Sequence, residues 1–337
     1  MKFKRQLFGF QDMLRFKKLV PNRRQKLAEG SNTPLPTEYR TNTLAKRLHP
    51  GRMKVELVEC RQITETLREL TFRRVDGDAF PFFRAGQYVS IQAAIEGSLV
   101  SRPYSIVSTP KQALENKLVL GVEKVGFMSS YLCDKAKVGD RFVMTEPSGE
   151  FHYETLRDKK EIVCIAGGSG ITPFLSMAGA MIDGTEKYSM TLFYGARDLA
   201  HLAYKEELEA LQSKGLKVIY VLSDEKQEGY EHGFISGELL KKYVDVENCT
   251  FFLCGPPAMY SFLKKEFEPW NLPVKAVHQD ASCCADRPIN APQTFQLVVH
   301  MRDEVYTIPA KENETLLTAL ERAALDAPNN CRAGGCG

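Results

Sequence analysis

The sequence predicts a multidomain chain: a small antiparallel β-barrel, then a doubly wound α/β domain, then an incomplete unit of one hairpin and one helix. Two changes of hydrophobic period and the length left over carry this prediction. From Met53 to Pro147, short segments rich in β-branched and aromatic residues are separated by turn signals, the pattern of a barrel. Further on, near-continuous apolar strands alternate with helical stretches, which argues a parallel sheet covered on both faces. Past the ASCCADRP turn only residues 293–337 remain. That is about half of what a small independent domain usually needs to bury a core.

Each element follows from local pattern. Residues 1–50 read as a basic arm and linker, because 30–50 (GSNTPLPTEYRTNTLAKRLHP) are rich in Pro, Ser, Thr and Asn. The barrel is assigned to 51–157, with MKVELVEC, TLRELTFRR, GQYVSIQAAI, RPYSIVST, NKLVLGVEKV and DRFVMTEP as strands and one helix interrupting at Ser129 to Asp134. The α/β domain is assigned to 158–280. Its strands are EIVCIAGG, SMTLFYGA, LKVIYVLS and TFFLCGPP, and TPFLSMAGAMI, LAHLAYKEELEALQSK, SGELLKKYV and AMYSFLKKEFE are its helices. Thr172 is expected to cap the first of these helices with Pro173 in its first turn, Asp198 to cap the next, and Gly184 and Gly215 to end helices. Residues 281–292 read as a second linker. In 293–337, TFQLVVHM and EVYTIPA form the hairpin and ETLLTALERAAL an amphipathic helix.

With 337 residues, 43% hydrophobic and 26% charged, the composition excludes disordered, collagenous and disulfide-stapled classes. No run of about 18 or more uncharged apolar residues occurs, and the N-terminus has no apolar core followed by a cleavage site, so a cytoplasmic location is expected. Nine cysteines without a signal peptide read as thiols to be inspected for metal or redox spacing. The net charge of +3 conceals a split. Residues 1–54 carry 14 Lys and Arg against 3 Asp and Glu, a charge of +11, and the remainder carries 31 against 39, a charge of −8. Phe3, Leu7, Phe8, Phe10, Leu14 and Leu19 fall loosely on one helical face of the arm. Such an arm suits peripheral docking on an anionic membrane or a larger complex, or a solvated extension on its own acidic body. Nucleic acid is not an expected partner, since no stacking surface or recognition motif accompanies the charge.

Two constellations carry chemistry. In IVCIAGGSGITPFLSM, Gly167, Gly168 and Gly170 remove side chains where a buried strand turns into a helix, so backbone amides and the positive helix end can approach a pyrophosphate. Thr172 stands at the same helix start, as ligand donor or as cap. The second constellation is Arg102-Pro-Tyr104-Ser105 followed by the turn and helix start Gly126 to Leu132, with Ser129 at its head. A cofactor with a phosphate and a flat ring needs a guanidinium, an aromatic and a hydroxyl, and this tetrapeptide offers all three. Taken singly, each segment is equally a barrel strand or a capped turn.

In this order, AGQYVSI, RPYS, GFMSSYL, PSGEF, AGGSGITP, FYGAR and CGPPAM resemble the flavin reductase family related to plant ferredoxin–NADP reductase, over roughly residues 53–280. The resemblance implies an FAD-binding barrel, with Arg102, Tyr104 and Ser105 on the flavin and Gly126 and Ser129 on its pyrophosphate. It implies a nicotinamide dinucleotide on Gly167, Gly168, Gly170 and Thr172, with Cys254, Gly255 and Pro256 at the crevice edge beside the nicotinamide. Tyr104, Ser105 and Cys254 are the catalytic candidates. Asp280 lies where the family often has an acidic residue, but VHQDAS matches poorly and it is left outside that set. Asp224, after LKVIYVLS, would accept ribose hydroxyls and repel a 2′-phosphate, favouring NADH, with Arg197 as the competing cation. Cys331 and Cys336 match the first two ligands of a plant-type [2Fe–2S] site in a ferredoxin-like, β-grasp segment. A third ligand would fall past Gly337, so the sequence reads as a fragment, with vestigial cysteines as the alternative, and the cluster requires the missing C-terminal ligands. The activity implied is an NADH-dependent flavoprotein reductase passing electrons through FAD to an iron–sulfur centre and a protein acceptor. A non-catalytic flavin-binding electron-transfer subunit of a larger complex, and a free-flavin reductase, are the alternatives.

Overall fold

The computed structural model describes residues 9–30, 39–280, 293–327 and 329. They belong to two compact units, 1–45 and 46–337. The first holds helix α1 (Gly9–Ala28), which exposes Met13, Leu14, Phe16 and Leu19 to solvent. Phe3, Leu7 and Phe8 of the expected apolar face lie outside the described residues, as does the side chain of Phe10. Helix α2 (Arg40–Leu48) runs through what composition marks as linker. The Pro-rich part of that stretch precedes it, and RTNTLAKRL holds neither Pro nor Gly to stop a helix.

The larger unit begins with β1 (Arg52–Gln62), β2 (Leu67–Arg74), β3 (Tyr88–Ile95), β4 (Ser98–Ser105), β5 (Leu118–Glu123) and β6 (Arg141–Thr145). They pair antiparallel in the order β4-β3-β6-β1-β2-β5. Alternate residues such as Met53, Val55 and Leu57 point inward, as a period of two requires. The sheet curls until Ile106, next after β4, bridges Leu120 on β5, so the two edges meet. Two helices interrupt it where one was expected. Helix α3 (Pro110–Leu114) opens with a capping box between Thr109 and Gln112, a signal legible as Thr-Pro-x-Gln. Helix α4 (Phe127–Asp134) starts two residues before Ser129.

The second sheet contains β7 (Glu161–Gly167), β8 (Ser189–Ala196), β9 (Lys217–Leu222), β10 (Glu231–His232), β11 (Thr250–Cys254) and β12 (Val277–Gln279). All run parallel in the order β10-β9-β8-β7-β11-β12. Helices α5 (Thr172–Ile182), α6 (Lys205–Gln212), α7 (Gly237–Tyr243) and α8 (Pro257–Phe267) connect them. Residues 162–166 of β7 are fully buried, which is why that strand reads as an unbroken apolar run. Strand order reverses between β7 and β11, and the carboxyl ends of these two strands open a crevice there.

Two cap assignments are corrected. Thr172 is the first residue of α5 and not its cap; a 3₁₀ turn over Gly168–Ile171 feeds the helix, and the Thr172 hydroxyl donates to the Ser169 carbonyl (3.1 Å). Asp198 caps only a 3₁₀ turn (Leu199–His201), because Tyr204 then takes a left-handed φ of 58° and breaks the path into α6.

The C-terminal part has β13 (Thr294–Met301) paired in register with β14 (Glu304–Lys311), then α9 (Leu316–Arg322). Its buried core is Ile308, Ala310 and Ala319, and α9 also packs on β4 of the first sheet.

Candidate functional site

A cavity of about 850 Å³ lies between the two sheets, at the carboxyl ends of β7 and β11 and facing β4 and β5. Close approach of backbones builds its floor. A Cβ on Gly170 would fall on the Cys254 carbonyl, and one on Gly167 would meet Pro256 Cδ at 2.9 Å. The glycine turn after β7 is therefore pressed against the Cys-Gly-Pro-Pro turn after β11, and only glycine permits it. Across the cavity, Gly121 on β5 has no room for a side chain either: a Cβ there would meet Thr172 Cγ2 at 2.5 Å and the Tyr204 hydroxyl at 3.0 Å. Gly168, with φ +57°, serves the turn itself.

Of the residues singled out from sequence, Tyr104, Ser105, Gly167, Gly168, Gly170, Thr172, Cys254, Gly255 and Pro256 line this one cavity. Their sequence separation exceeds 150 positions, and the sheet topology brings them together. Tyr104 lies partly against the first sheet's core with its remainder toward the cavity. Asp280 joins them. It follows β12, whose pairing with β11 and the Asp280 amide bond to the Leu253 carbonyl (3.0 Å) set it beside Cys254. One carboxylate oxygen accepts from Ser105 Oγ (3.4 Å) and from Cys254 Sγ (3.3 Å). Burial, with Asp280 alongside, pushes the Cys254 thiol far above its ordinary pKa. It is a protonated, compact side chain here and not a thiolate nucleophile. The Tyr260 hydroxyl accepts from the Gly255 amide (3.0 Å), and burial raises its pKa as well.

Other candidates lie elsewhere. Arg102 stands one strand position away from the lining residue Pro103 and pairs with Glu321 of α9 (3.1 Å). Ser129 Oγ accepts from the amides of Val125 (3.0 Å) and Gly126 (2.9 Å) and donates to the Gly126 carbonyl (3.0 Å), so it organises the α4 start. Gly126 is extended, and nothing lies within 4 Å of where its Cβ would be. Asp224 is exposed and outside the lining, whereas its neighbour Ser223 and Arg197 are in it. The Asp224 amide donates to the Arg197 carbonyl (2.9 Å), and Ser223 Oγ donates to the Asp224 carboxylate (2.6 Å). Cys331 and Cys336, like Cys283 and Cys284, lie outside the described residues. Glu123, which accepts from Ser169 Oγ, and Phe234 also line the cavity, and neither carries a motif that would single it out.

A flat ring and a dinucleotide fit this space. The volume lies within the about 300–1,000 Å³ of small-molecule sites, the lining is mainly apolar with few convergent polar groups, and its glycines place no side chain in it. An antiparallel curled sheet and a parallel α/β crevice thus face one cavity with room for a flat ring and a dinucleotide.

Comparison with known proteins agrees. The oxidoreductase FAD-binding domain matches residues 54–153, the oxidoreductase NAD-binding domain 164–265, and the 2Fe-2S iron-sulfur cluster binding domain 299–337. NADH-cytochrome b5 reductase 1 of Dictyostelium discoideum is 30% identical over 213 residues, 61% of this chain and 73% of that one. The ferredoxin reductase component of 3-ketosteroid-9-alpha-monooxygenase from Mycobacterium tuberculosis is 29% identical over 311 residues, covering 85% and 83%. Phthalate dioxygenase reductase shares the fold with a TM-score of 0.66 at 23% identity, covering 86% of this chain and 85% of that one. The chain belongs to the FAD- and NAD-binding oxidoreductases related to ferredoxin–NADP reductase, with a 2Fe-2S domain following. It is a flavoenzyme of the kind that carries electrons from NADH through FAD to an iron–sulfur centre and a protein acceptor. Among the described residues no helix is long and apolar enough to cross a membrane.

Proposed function

We propose that this enzyme is the reductase of an oxygenase system, with domains at 51–157, 158–280 and 293–337. The relatives named as monooxygenase reductase components support the acceptor class. The observation that carries the chemistry is the convergence of Ser105, Cys254 and Asp280 on one cavity between the two halves. When bound, FAD supplies the conversion of a two-electron hydride from NADH into single electrons.

The chain's own residues do the placing. Tyr104 and Ser105 would hold the flavin ring, Tyr104 through its aromatic surface and Ser105 through its hydroxyl oxygen, whose O–H Asp280 accepts. Cys254, small and uncharged, leaves room for a second ring and donates its S–H to Asp280. Arg102, Gly126 and Ser129 take the flavin's phosphates; Gly167, Gly168, Gly170, Thr172, Gly255 and Pro256 present backbone to the dinucleotide. Asp224 sets the preference for NADH. Cys331 and Cys336 would be two of the ligands of a [2Fe–2S] cluster. The basic arm docks the enzyme on an acidic surface, membrane or complex, without spanning it.

Stopped-flow mixing of the FAD-loaded protein with NADH tests the reading. Loss of oxidised-flavin absorbance within turnover time is the expected result; a flavin that stays oxidised would make the chain an electron-transfer subunit without reductase activity.

A further inference from the structure

Helix α9 leaves the C-terminal hairpin and packs on β4, an edge strand of the first sheet. At the centre of this contact the Glu321 side chain, 7% exposed, accepts from the Ser101 amide (2.9 Å) and from Arg102 Nη1 (3.1 and 3.4 Å to its two oxygens). The same Nη1 donates to the Ser101 carbonyl (2.7 Å). A second carboxylate, Asp326, takes Arg52 through both terminal nitrogens (2.6 and 3.1 Å) and the Gln92 amide (3.1 Å). Each anchor thus sets an acid of the C-terminal unit on polar groups of the flavin half.

Arg102 is therefore claimed twice. The proposed function gives its guanidinium a cofactor phosphate, and the structure gives it the carboxylate of Glu321. A cation already neutralised by one anion holds a second less tightly, and the two anions repel each other. We infer that Glu321 and the flavin's phosphate compete for Arg102, so that filling the flavin site loosens the docked C-terminal unit. Docking in turn weakens flavin binding, because such coupling is reciprocal. The inference rests on the phosphate role of Arg102. Its consequence is a C-terminal unit held most firmly on the first sheet before the flavin is loaded.

The test titrates FAD into deflavinated full-length wild type, Glu321→Gln and Asp326→Asn, and follows hydrogen exchange in α9 with and without FAD. Gln at this position keeps one acceptor oxygen for the Ser101 amide, and it removes both the charge and the second oxygen that Arg102 uses. The expected Kd for FAD falls about tenfold in Glu321→Gln, the scale of one charge-assisted hydrogen bond. It falls by a smaller factor in Asp326→Asn, which touches no flavin contact but weakens the docked state. In wild type, FAD speeds exchange in α9. An unchanged or raised Kd in both variants, or FAD-induced protection of α9, overturns the competition while tight wild-type binding leaves the flavin reading standing. A wild type that binds no FAD removes both. Should Glu321→Gln not fold, Asp326→Asn and the exchange measurement still decide.

Discussion

Asp280 is the residue on which the site turns. It lies 175 positions from Ser105 and 26 from Cys254, yet one of its oxygens accepts from both. Replacing it with Asn keeps the size and removes the negative charge that directs the two donors. Asp280→Asn should retain FAD and slow flavin reduction by NADH up to about a hundredfold, the cost of small misplacement at a reacting centre. Stopped-flow rates and flavin content of the same sample check this; an unchanged rate would make Asp280 only a packing residue. Cofactor choice belongs to this scale too. The cavity holds Arg197 and Ser223, and the Asp224 carboxylate receives the Ser223 hydroxyl just outside it. The expected result is a clear NADH preference in kcat/KM that Asp224→Arg relaxes toward NADPH by about tenfold or more, since a repulsive charge becomes a phosphate partner. Equal use of both cofactors by the unmutated enzyme would refute the role of that turn.

At the scale of elements, short pieces carry more than their length indicates. The three residues of β12 pair with β11 and deliver both Asp280 and His278. His278 Nε2 lies 2.7 Å from the buried Asp158 carboxylate, which Arg157 also holds at 2.9 Å. Burial alone would raise the Asp158 pKa; the hydrogen bonds from Arg157, the Glu154 amide and His278 outweigh it, and the net shift is downward. A carboxyl depressed in the folded state contributes stability that is present above its unfolded pKa of about 3.9 and lost as pH falls through the folded value. Acid unfolding should therefore steepen below about pH 4. Asp158→Asn should lower the midpoint of thermal unfolding at pH 7 and flatten that acid limb, and melting curves between pH 3 and 7 measure both. A limb as steep in the variant as in wild type would assign the acid sensitivity to other carboxylates.

For the whole molecule, the question is what fixes one sheet against the other. Arg84, in the loop before β3, bonds Glu186 beyond α5 (2.8 Å) and the Tyr153 carbonyl (2.6 Å). Arg61 on β1 reaches Glu207 on α6 (2.5 Å), and Ser169 reaches Glu123. Glu186 is only 10% exposed, so removing its partner strands a largely desolvated carboxylate. Arg84→Ala should cost about 1–3 kcal/mol, discounted toward the lower end because the guanidinium is itself partly solvated. Calorimetry should then show a lower midpoint, with the two sheets ceasing to unfold as one transition. A single unshifted transition would mean that apolar contact at the cavity rim holds the halves together without this ion pair.

What the sequence determined by itself was everything governed by local period and by glycine. The two strand patterns, the helix runs, the glycine turn at Gly167 to Gly170 and the Arg-x-Tyr-Ser strand are legible because burial on one face or two, and the absence of a Cβ, leave a mark within about ten residues. Short elements escaped. The strand Val277–Gln279 and the turn that carries Gly168 into α5 are too brief to show a period, and Tyr204 breaks a run that reads as one helix. Only the tertiary structure decided which side chains meet. Asp280 reaches Cys254 because β12 pairs with β11, Ser169 reaches Glu123 because two sheets close on one cavity, and Arg102 meets Glu321 because α9 covers an edge strand 219 positions away. A carboxylate looks alike in sequence whether it faces water, a thiol or a guanidinium, and only its neighbours in space distinguish these cases.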